Sequence, residues 1–172
     1  VRYHFFWLMS TSVADLSSKK QPPRRSDSGR SLRARALAAL ARREYSRREL
    51  EAKLTAFAED PAEIPALLDD FEQRGWLSES RVVEQVVATR RRRFGMRRIE
   101  QELREKGISD EAIEHARDEM KAGELDSARA VWQRKFGTAP ADARERAKQM
   151  RFLQGRGFGS DTIRRLLSDA DD

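Results

Sequence analysis

The chain has 172 residues, of which 38% are hydrophobic and 37% charged, a balance that suits thin helical layers with wide solvated faces and excludes one thick core. It holds no cysteine, which excludes disulfides and thiolate metal sites and fits a reducing cytoplasm; no apolar run approaches the ~20 residues that span a bilayer. The net charge of +6 invites a nucleic-acid partner, yet residues 1–30 hold six Lys/Arg against two Asp, so most of the excess lies in that segment.

Residues 3–9 are apolar but too short for a secretory core, and Met9 is an alternative start. Residues 10–30 are rich in Ser, Lys, Arg and Pro, with Pro22-Pro23 before Arg24-Arg25. Such a segment buries too little apolar surface to offset its ordering entropy, so 1–30 reads as a disordered basic tail.

From Ser31 onward the chain repeats itself. A shift of 49 lays Ser31 on Ser80, Leu37 on Val86, Tyr45 on Phe94, Leu50 on Ile99, Leu54 on Leu103, Ile64 on Ile113 and Phe71 on Met120. A shift of 50 lays Leu103 on Leu153, Gly107 on Gly157 and Ile113 on Ile163. A period of this size marks a tandem array of one supersecondary unit.

The first unit spans 31–77. Leu32, Ala36, Leu37 and Leu40 predict one helical face. Ser46 and Glu49 form a capping box ahead of a helix carrying Leu50, Leu54 and Phe57. Asp60-Pro61 with Glu63 predicts a third start, with Pro61 at the first helical position and a stripe of Ile64, Leu67, Leu68 and Phe71. The second unit spans 78–124. Its opening run of Val82, Val83, Val86 and Val87 is β-branched, but its spacing and its match to the Ala-rich helix of unit one predict a helix. Met96, Ile99 and Leu103 follow, Gly107 supplies a left-handed stop, and Ser109 caps a helix with Ile113, Ala116 and Met120. The third unit spans 125–172. Leu125, Ala128, Val131, Trp132 and Phe136 predict its first helix, Pro140 opens a second with Ala143, Ala147, Met150 and Leu153, and Ser160 caps a last one with Ile163, Leu166 and Leu167. Val86 meets Val131 at an offset of 45, whereas Leu103 meets Leu153 at 50; a five-residue insertion in the connecting loop accounts for the change. Residues 169–172 are acidic and frayed. The predicted fold is all-α, three tandem three-helix repeats in an elongated, curved array.

Charge alternates along it. Segment 81–107 has nine basic and four acidic residues, 109–126 has two and seven, and 129–157 has eight and two. Arg90, Arg91, Arg92 and Arg93, with Arg97 and Arg98, form the densest basic cluster; Arg144, Arg146, Lys148 and Arg151 lie in the second basic segment. If the two segments share a face, they form a track for phosphates or for an acidic protein surface. The competing reading is a solvated helix exterior, although four consecutive arginines cannot all pair on one helix side. A helix-turn-helix reading of 103–108 fails on charge, because the would-be reader carries Asp110, Glu111, Glu114, Asp118 and Glu119. Enzyme signals are poor: His4 and His115 stand apart, no metal-ligand cluster exists, and Gly155, Gly157 and Gly159 read as helix stops and caps rather than a phosphate loop. Trp76, Trp132 and Phe136 read as packing residues before base-stacking ones.

These residues resemble the RecX family, regulators of the RecA recombinase. Arg43, Ser46, Glu49, Leu50, Lys53 and Leu54 match its R-x-x-S-x-x-E-L-x-x-K-L pattern; Arg90, Gly95, Arg98, Ile99, Glu102, Leu103, Lys106, Gly107 and Ile108 match its middle repeat. Arg151-Phe152-Leu153 and Arg156-Gly157-Phe158 followed by Ile163 match its closing one. The likeness covers about 31–168. Where the family has an Asp and an aromatic at the start of unit two, Glu79 and Val82 stand here. The resemblance implies a protein without a catalytic centre or cofactor that lies in the groove of the RecA filament on single-stranded DNA, bridges protomers, and suppresses ATP hydrolysis, strand exchange and filament extension. A monomeric, cytoplasmic inhibitor is the expected function, with Arg90–93, Arg97, Arg98, Arg144, Arg146, Lys148 and Arg151 as the contact residues and no membrane or metal involvement. The alternatives are an autonomous DNA-binding protein using the same basic track and a structural adaptor of the solenoid type.

Overall fold

The computed structural model describes residues 30–169. The basic tail, save Arg30, and the last three residues, 170–172, lie outside the described residues. Two units divide the chain, Val1–Arg30 and Ser31–Asp172, and every described helix falls in the second. Nine helices follow one another with no strand among the described residues: α1 (Leu32–Leu40), α2 (Arg47–Thr55), α3 (Glu63–Gln73), α4 (Glu79–Arg90), α5 (Met96–Glu105), α6 (Asp110–Ala122), α7 (Glu124–Lys135), α8 (Ala143–Gly155) and α9 (Ser160–Asp169).

They bury their apolar stripes in threes. Leu50, Leu54, Ile64, Leu68 and Phe71 anchor one cluster from α1–α3, module 1. The four valines of α4 meet Ile99, Leu103 and Ile113 in module 2. Ala128, Val131 and Trp132 meet Leu153, Phe158, Ile163 and Leu167 in module 3. Leu103, Ile113 and Leu153 are 0% exposed, so truncating any of them costs about 2–5 kcal/mol. The valine run is a helix because its four side chains fall on one 3.6-period face and all are buried there.

Modules 2 and 3 close their second helices with a glycine, whereas α2 of module 1 ends at Ala56 and α3 starts without a side-chain cap. Gly107 and Gly157 take φ of 77° and 86°, the left-handed conformation that lets the chain reverse. Ser46 accepts from the Glu49 N–H while Glu49 reaches back to the Ser46 N–H, completing the capping box. Ser109 accepts from the Ala112 N–H.

Several local expectations fail for identifiable reasons. Pro61 lies in a turn before α3, not at its first position, because the Asp60 side chain accepts from the Ala62 N–H at 2.9 Å and holds the chain in a tight turn first. Pro140 stays in the loop, and α8 starts at Ala143, because Asp142 accepts from the Glu145 N–H at 2.7 Å and so satisfies a free donor there. The five extra residues of the third unit are shared: the loop before α8 is two residues longer than the one before α5, and α8 is three longer than α5. Ser160 is inside α9, since the Ile163 N–H donates to the Gly159 carbonyl. Leu37 and Phe57 are exposed, 38% and 50%; Ala36 and Ala39 face the core instead, and Phe57 lies beyond the end of α2 under the Arg35 guanidinium, 4.2 Å from its ring centre.

Candidate macromolecular interface at the module junctions

The modules join by one recurring device: the N-terminus of a second helix docks on the turn between the second and third helices of the next module. At the junction of modules 1 and 2, the Ser46 hydroxyl donates to the Lys106 carbonyl at 2.6 Å, and the Lys106 ammonium reaches Glu49 at 2.7 Å. The Arg48 stem packs over Gly107, where a Cβ would come within 3.0 Å of it. Arg81 of α4 also pairs with Glu44 at 2.9 Å. Glu49 is 22% exposed; partial burial works to raise its pKa, but hydrogen bonds from Lys106, the Ser46 N–H and Arg43 prevail and hold the carboxyl at about 2.

At the junction of modules 2 and 3 the same contact is made by backbone. The Gly95 N–H donates to the Arg156 carbonyl at 2.9 Å, and the Arg97 N–H to the Gly157 carbonyl at 3.2 Å. The chains touch so closely that a Cβ on Gly95 would lie 2.4 Å from the Phe158 nitrogen, and one on Gly157 would lie 2.6 Å from the Arg98 Cβ. Two carboxylates at the first residue of α4 and α7, 45 positions apart, hold third-helix N-termini. Glu79 accepts from the Ser109 N–H and hydroxyl at 3.3 and 2.6 Å. Glu124, 6% exposed, accepts from the Gly159 N–H at 3.3 Å and the Thr162 hydroxyl at 2.7 Å.

The 91–95 loop therefore lies on the module 2–3 junction, and the arginines expected to act together take different roles. Arg90 is half-buried and bound twice to Glu102, at 2.7 and 3.0 Å, which holds its pKa above the usual arginine value. Arg91, Arg92, Arg93 and Arg97 are exposed and make no ion pair among the described residues. Arg98 is exposed at its tip, 5.9 Å from the Phe94 ring centre, while its backbone and Cβ face Gly157. In α8, Arg144, Lys148 and Arg151 recur at the spacing of one helical face and are exposed with no ion pair among the described residues, whereas Arg146 is half-buried and partnered.

Two further cations, neither among the expected contact residues, join the loop. Arg134 of α7 donates to the Arg92 carbonyl, and Arg156 at the end of α8 donates to the Arg93 carbonyl at 3.2 Å while stacking on Phe152 at 4.9 Å. Their signal was their membership of the second basic segment. Against this positive edge, α6 exposes Asp110, Glu111, Glu114 and Asp118. Trp132 is buried and donates to Gln149 at 2.7 Å, and Trp76 is 39% exposed, flanked by the guanidinium groups of Arg33 and Arg74 at 5.4 and 5.3 Å. Between α2 and α5 lies an open groove of about 400 Å³ whose walls, including Glu49, Arg98, Glu102 and Lys106, mix both charges. His115 is exposed on α6. Among the described residues no group of three His, Asp or Glu could hold a metal ion, and no helix is long and apolar enough to cross a membrane.

A chain assembled this way is an all-α repeat protein built from tandem three-helix modules. Family models draw the class tighter: the one described as "RecX, second three-helix domain" matches residues 78–116, and "RecX, third three-helix domain" matches 122–167. The Regulatory protein RecX of Leptothrix cholodnii is 53% identical over 141 residues, covering 82% of this chain and 90% of that protein. The Regulatory protein RecX of Ralstonia nicotianae is 46% identical over 141 residues, covering 82% and 89%. The crystal structure of RecX from Lactobacillus salivarius superposes with a TM-score of 0.70 at 19% identity, over 81% of this chain and 94% of that one, and so shares the fold. The chain belongs to the RecX family, whose relatives here bear the name of regulatory proteins.

Proposed function

We propose that the chain is a non-enzymatic, cytoplasmic regulator that binds, as a monomer, along the RecA recombinase filament on single-stranded DNA. Bound there it inhibits ATP hydrolysis, strand exchange and filament extension. The observation that carries this reading is that Arg91, Arg92, Arg93 and Arg97 are exposed on one short segment and make no ion pair among the described residues, in a chain of the RecX family. Like charges held this close repel one another until an anionic surface meets them. Arg144, Lys148 and Arg151 extend the basic character along module 3, while the acidic face of α6 suits basic protomer edges. Quasi-equivalent modules on one chain suit a target that itself repeats, because weak contacts on linked units add through effective concentration. The three modules, α1–α3, α4–α6 and α7–α9, close to the expected 31–77, 78–124 and 125–172 but with Glu124 opening the third, would each meet the filament in turn as a bowed array.

The test is Arg91, Arg93 and Arg97 replaced together by Ala, leaving Arg90 to Glu102 and Arg98 to its packing on Gly157. Inhibition of the filament's ATPase should weaken at least about tenfold, the loss expected from a few charge-assisted contacts, with helix content unchanged. Full potency in this variant would remove the cluster from the interface. Tight binding to bare DNA, with a salt slope reporting many phosphates, would favour the autonomous DNA-binding protein instead.

A further inference from the structure

We propose that Glu124 is a positioning residue, a latch that locks the start of α5 to module 3 and so holds the cationic loop in one geometry. Glu79 and Glu124 occupy the same place in successive modules, but their partners differ. Both oxygens of Glu79 are spent inside module 2, on Ser109. Glu124 makes the matching contacts inside module 3, to the Gly159 N–H and the Thr162 hydroxyl, and its Oε1 also accepts from the Met96 N–H of α5 at 3.1 Å. One buried carboxylate oxygen is thus shared between the N-termini of two helices in two modules. Both helix ends present free amide donors and a positive dipole end, which a carboxylate satisfies together. Gly95, the cap residue of α5, has no side chain to do this, so the cap comes from the neighbouring module. Immediately on either side of Met96 lie the 91–95 loop and Arg97, and Arg134 and Arg156 of module 3 hold the loop's carbonyls. Loosening Met96 from Glu124 would free the loop to move against module 3 and blur the cationic surface.

The importance of that surface to a partner rests on the reading given above, whereas the latch itself is measured without one. The chain has no cysteine, so Ala88→Cys on α4 and Arg165→Cys on α9, both exposed, give the full chain two unique spin-label sites spanning the junction. The parent should show a narrow distance distribution. Glu124→Ala should broaden it and weaken inhibition of RecA filament ATPase about tenfold, the loss expected when linked contacts stop acting as one body. Glu124→Gln keeps an acceptor oxygen and should restore both readouts; Glu79→Ala should lower the melting temperature while leaving the distribution narrow. Should the Ala variant fail to fold, Glu124→Asp, one methylene too short to reach both amides, should broaden the distribution on its own. A narrow distribution in both Ala and Asp variants, or in Asp alone where Ala does not fold, would overturn the latch. A Gln variant as impaired as Ala would overturn the hydrogen-bonded sharing. A broadened distribution with full potency, while the triple arginine variant is inactive, would overturn the positioning role and leave the proposed function standing. Full potency in the triple arginine variant would defeat that function and leave the latch to the distance measurement.

Discussion

Gly95→Ala is the sharpest perturbation the junction offers. Gly95 has φ −81° and ψ 171°, a conformation open to any residue, so the substitution brings no backbone strain of its own and isolates a steric effect. The added Cβ would sit 2.4 Å from the Phe158 nitrogen and 2.5 Å from the Gly157 carbonyl carbon and oxygen. All three are backbone atoms and cannot rotate away. Restoring ordinary contact distances requires about 1 Å of separation, which lengthens the Gly95–Arg156 and Arg97–Gly157 hydrogen bonds, now 2.9 and 3.2 Å, beyond useful range. Two lost bonds at about 0.5–1.5 kcal/mol each, with disturbed packing around Phe158, give about 2–4 kcal/mol. For a chain of this size that lowers the melting midpoint by about 5–15 °C. Gly123→Ala is the control: φ is −96° and nothing lies within 4 Å of its Cβ position, so its change should stay within about 0.5 kcal/mol. Thermal melts followed by circular dichroism read both. Equal midpoints for the two variants would refute the close approach of modules 2 and 3.

Acid weakens the first junction through Glu49. Its folded pKa of about 2 lies below the ordinary 4.5, so its stabilisation is full above pH 4.5 and is lost as pH falls from there toward 2. Screening by water on its open side reduces the contribution to about 1–2 kcal/mol; urea melts of the parent and Glu49→Gln should converge at the low end of that window, and a constant gap would contradict the assignment. Arg90→Ala removes a pair whose side chains are 43% and 26% exposed, so stability should fall by only about 0.5–1 kcal/mol, with filament inhibition intact; a loss of inhibition matching the Arg91, Arg93, Arg97 variant would return Arg90 to the contact set. Gln149→Leu leaves the Trp132 indole N–H, now bonded at 2.7 Å, without its acceptor. Module 3 should lose about 1–3 kcal/mol, read as faster amide exchange in α7 and α8; unchanged exchange would show that another acceptor replaces Gln149.

The helical content was legible because its signals are local. The capping box at Ser46, the Ser109 cap, the left-handed Gly107 and the stripes through Leu50, Leu103 and Ile163 involve residues within one or two turns, and periodicity reports them directly. Leu37 and Phe57 were misplaced because an apolar residue at the right spacing says nothing about whether a neighbouring helix reaches it; two alanines on α1 allow the closer approach. Proline misled twice, at 61 and 140, since a nearby aspartate side chain chose the turn. At the junctions the sequence carried least. Glu79 and Glu124 look like ordinary first-turn acids, and only the fold shows that their oxygens serve other helices. The run at 90–93 reads as one cluster, but Glu102, twelve residues on, withdraws Arg90 from it, while Arg134 and Arg156 arrive from helices more than forty residues away.

The most direct measurement is binding of the full chain to RecA filaments on single-stranded DNA beside binding to the same DNA bare, at one physiological salt concentration. The account predicts tight binding to the filament, weak binding to the bare strand, and loss of filament binding when Arg91, Arg93 and Arg97 become Ala. Equal affinity for both, or filament binding indifferent to those three arginines, would contradict it.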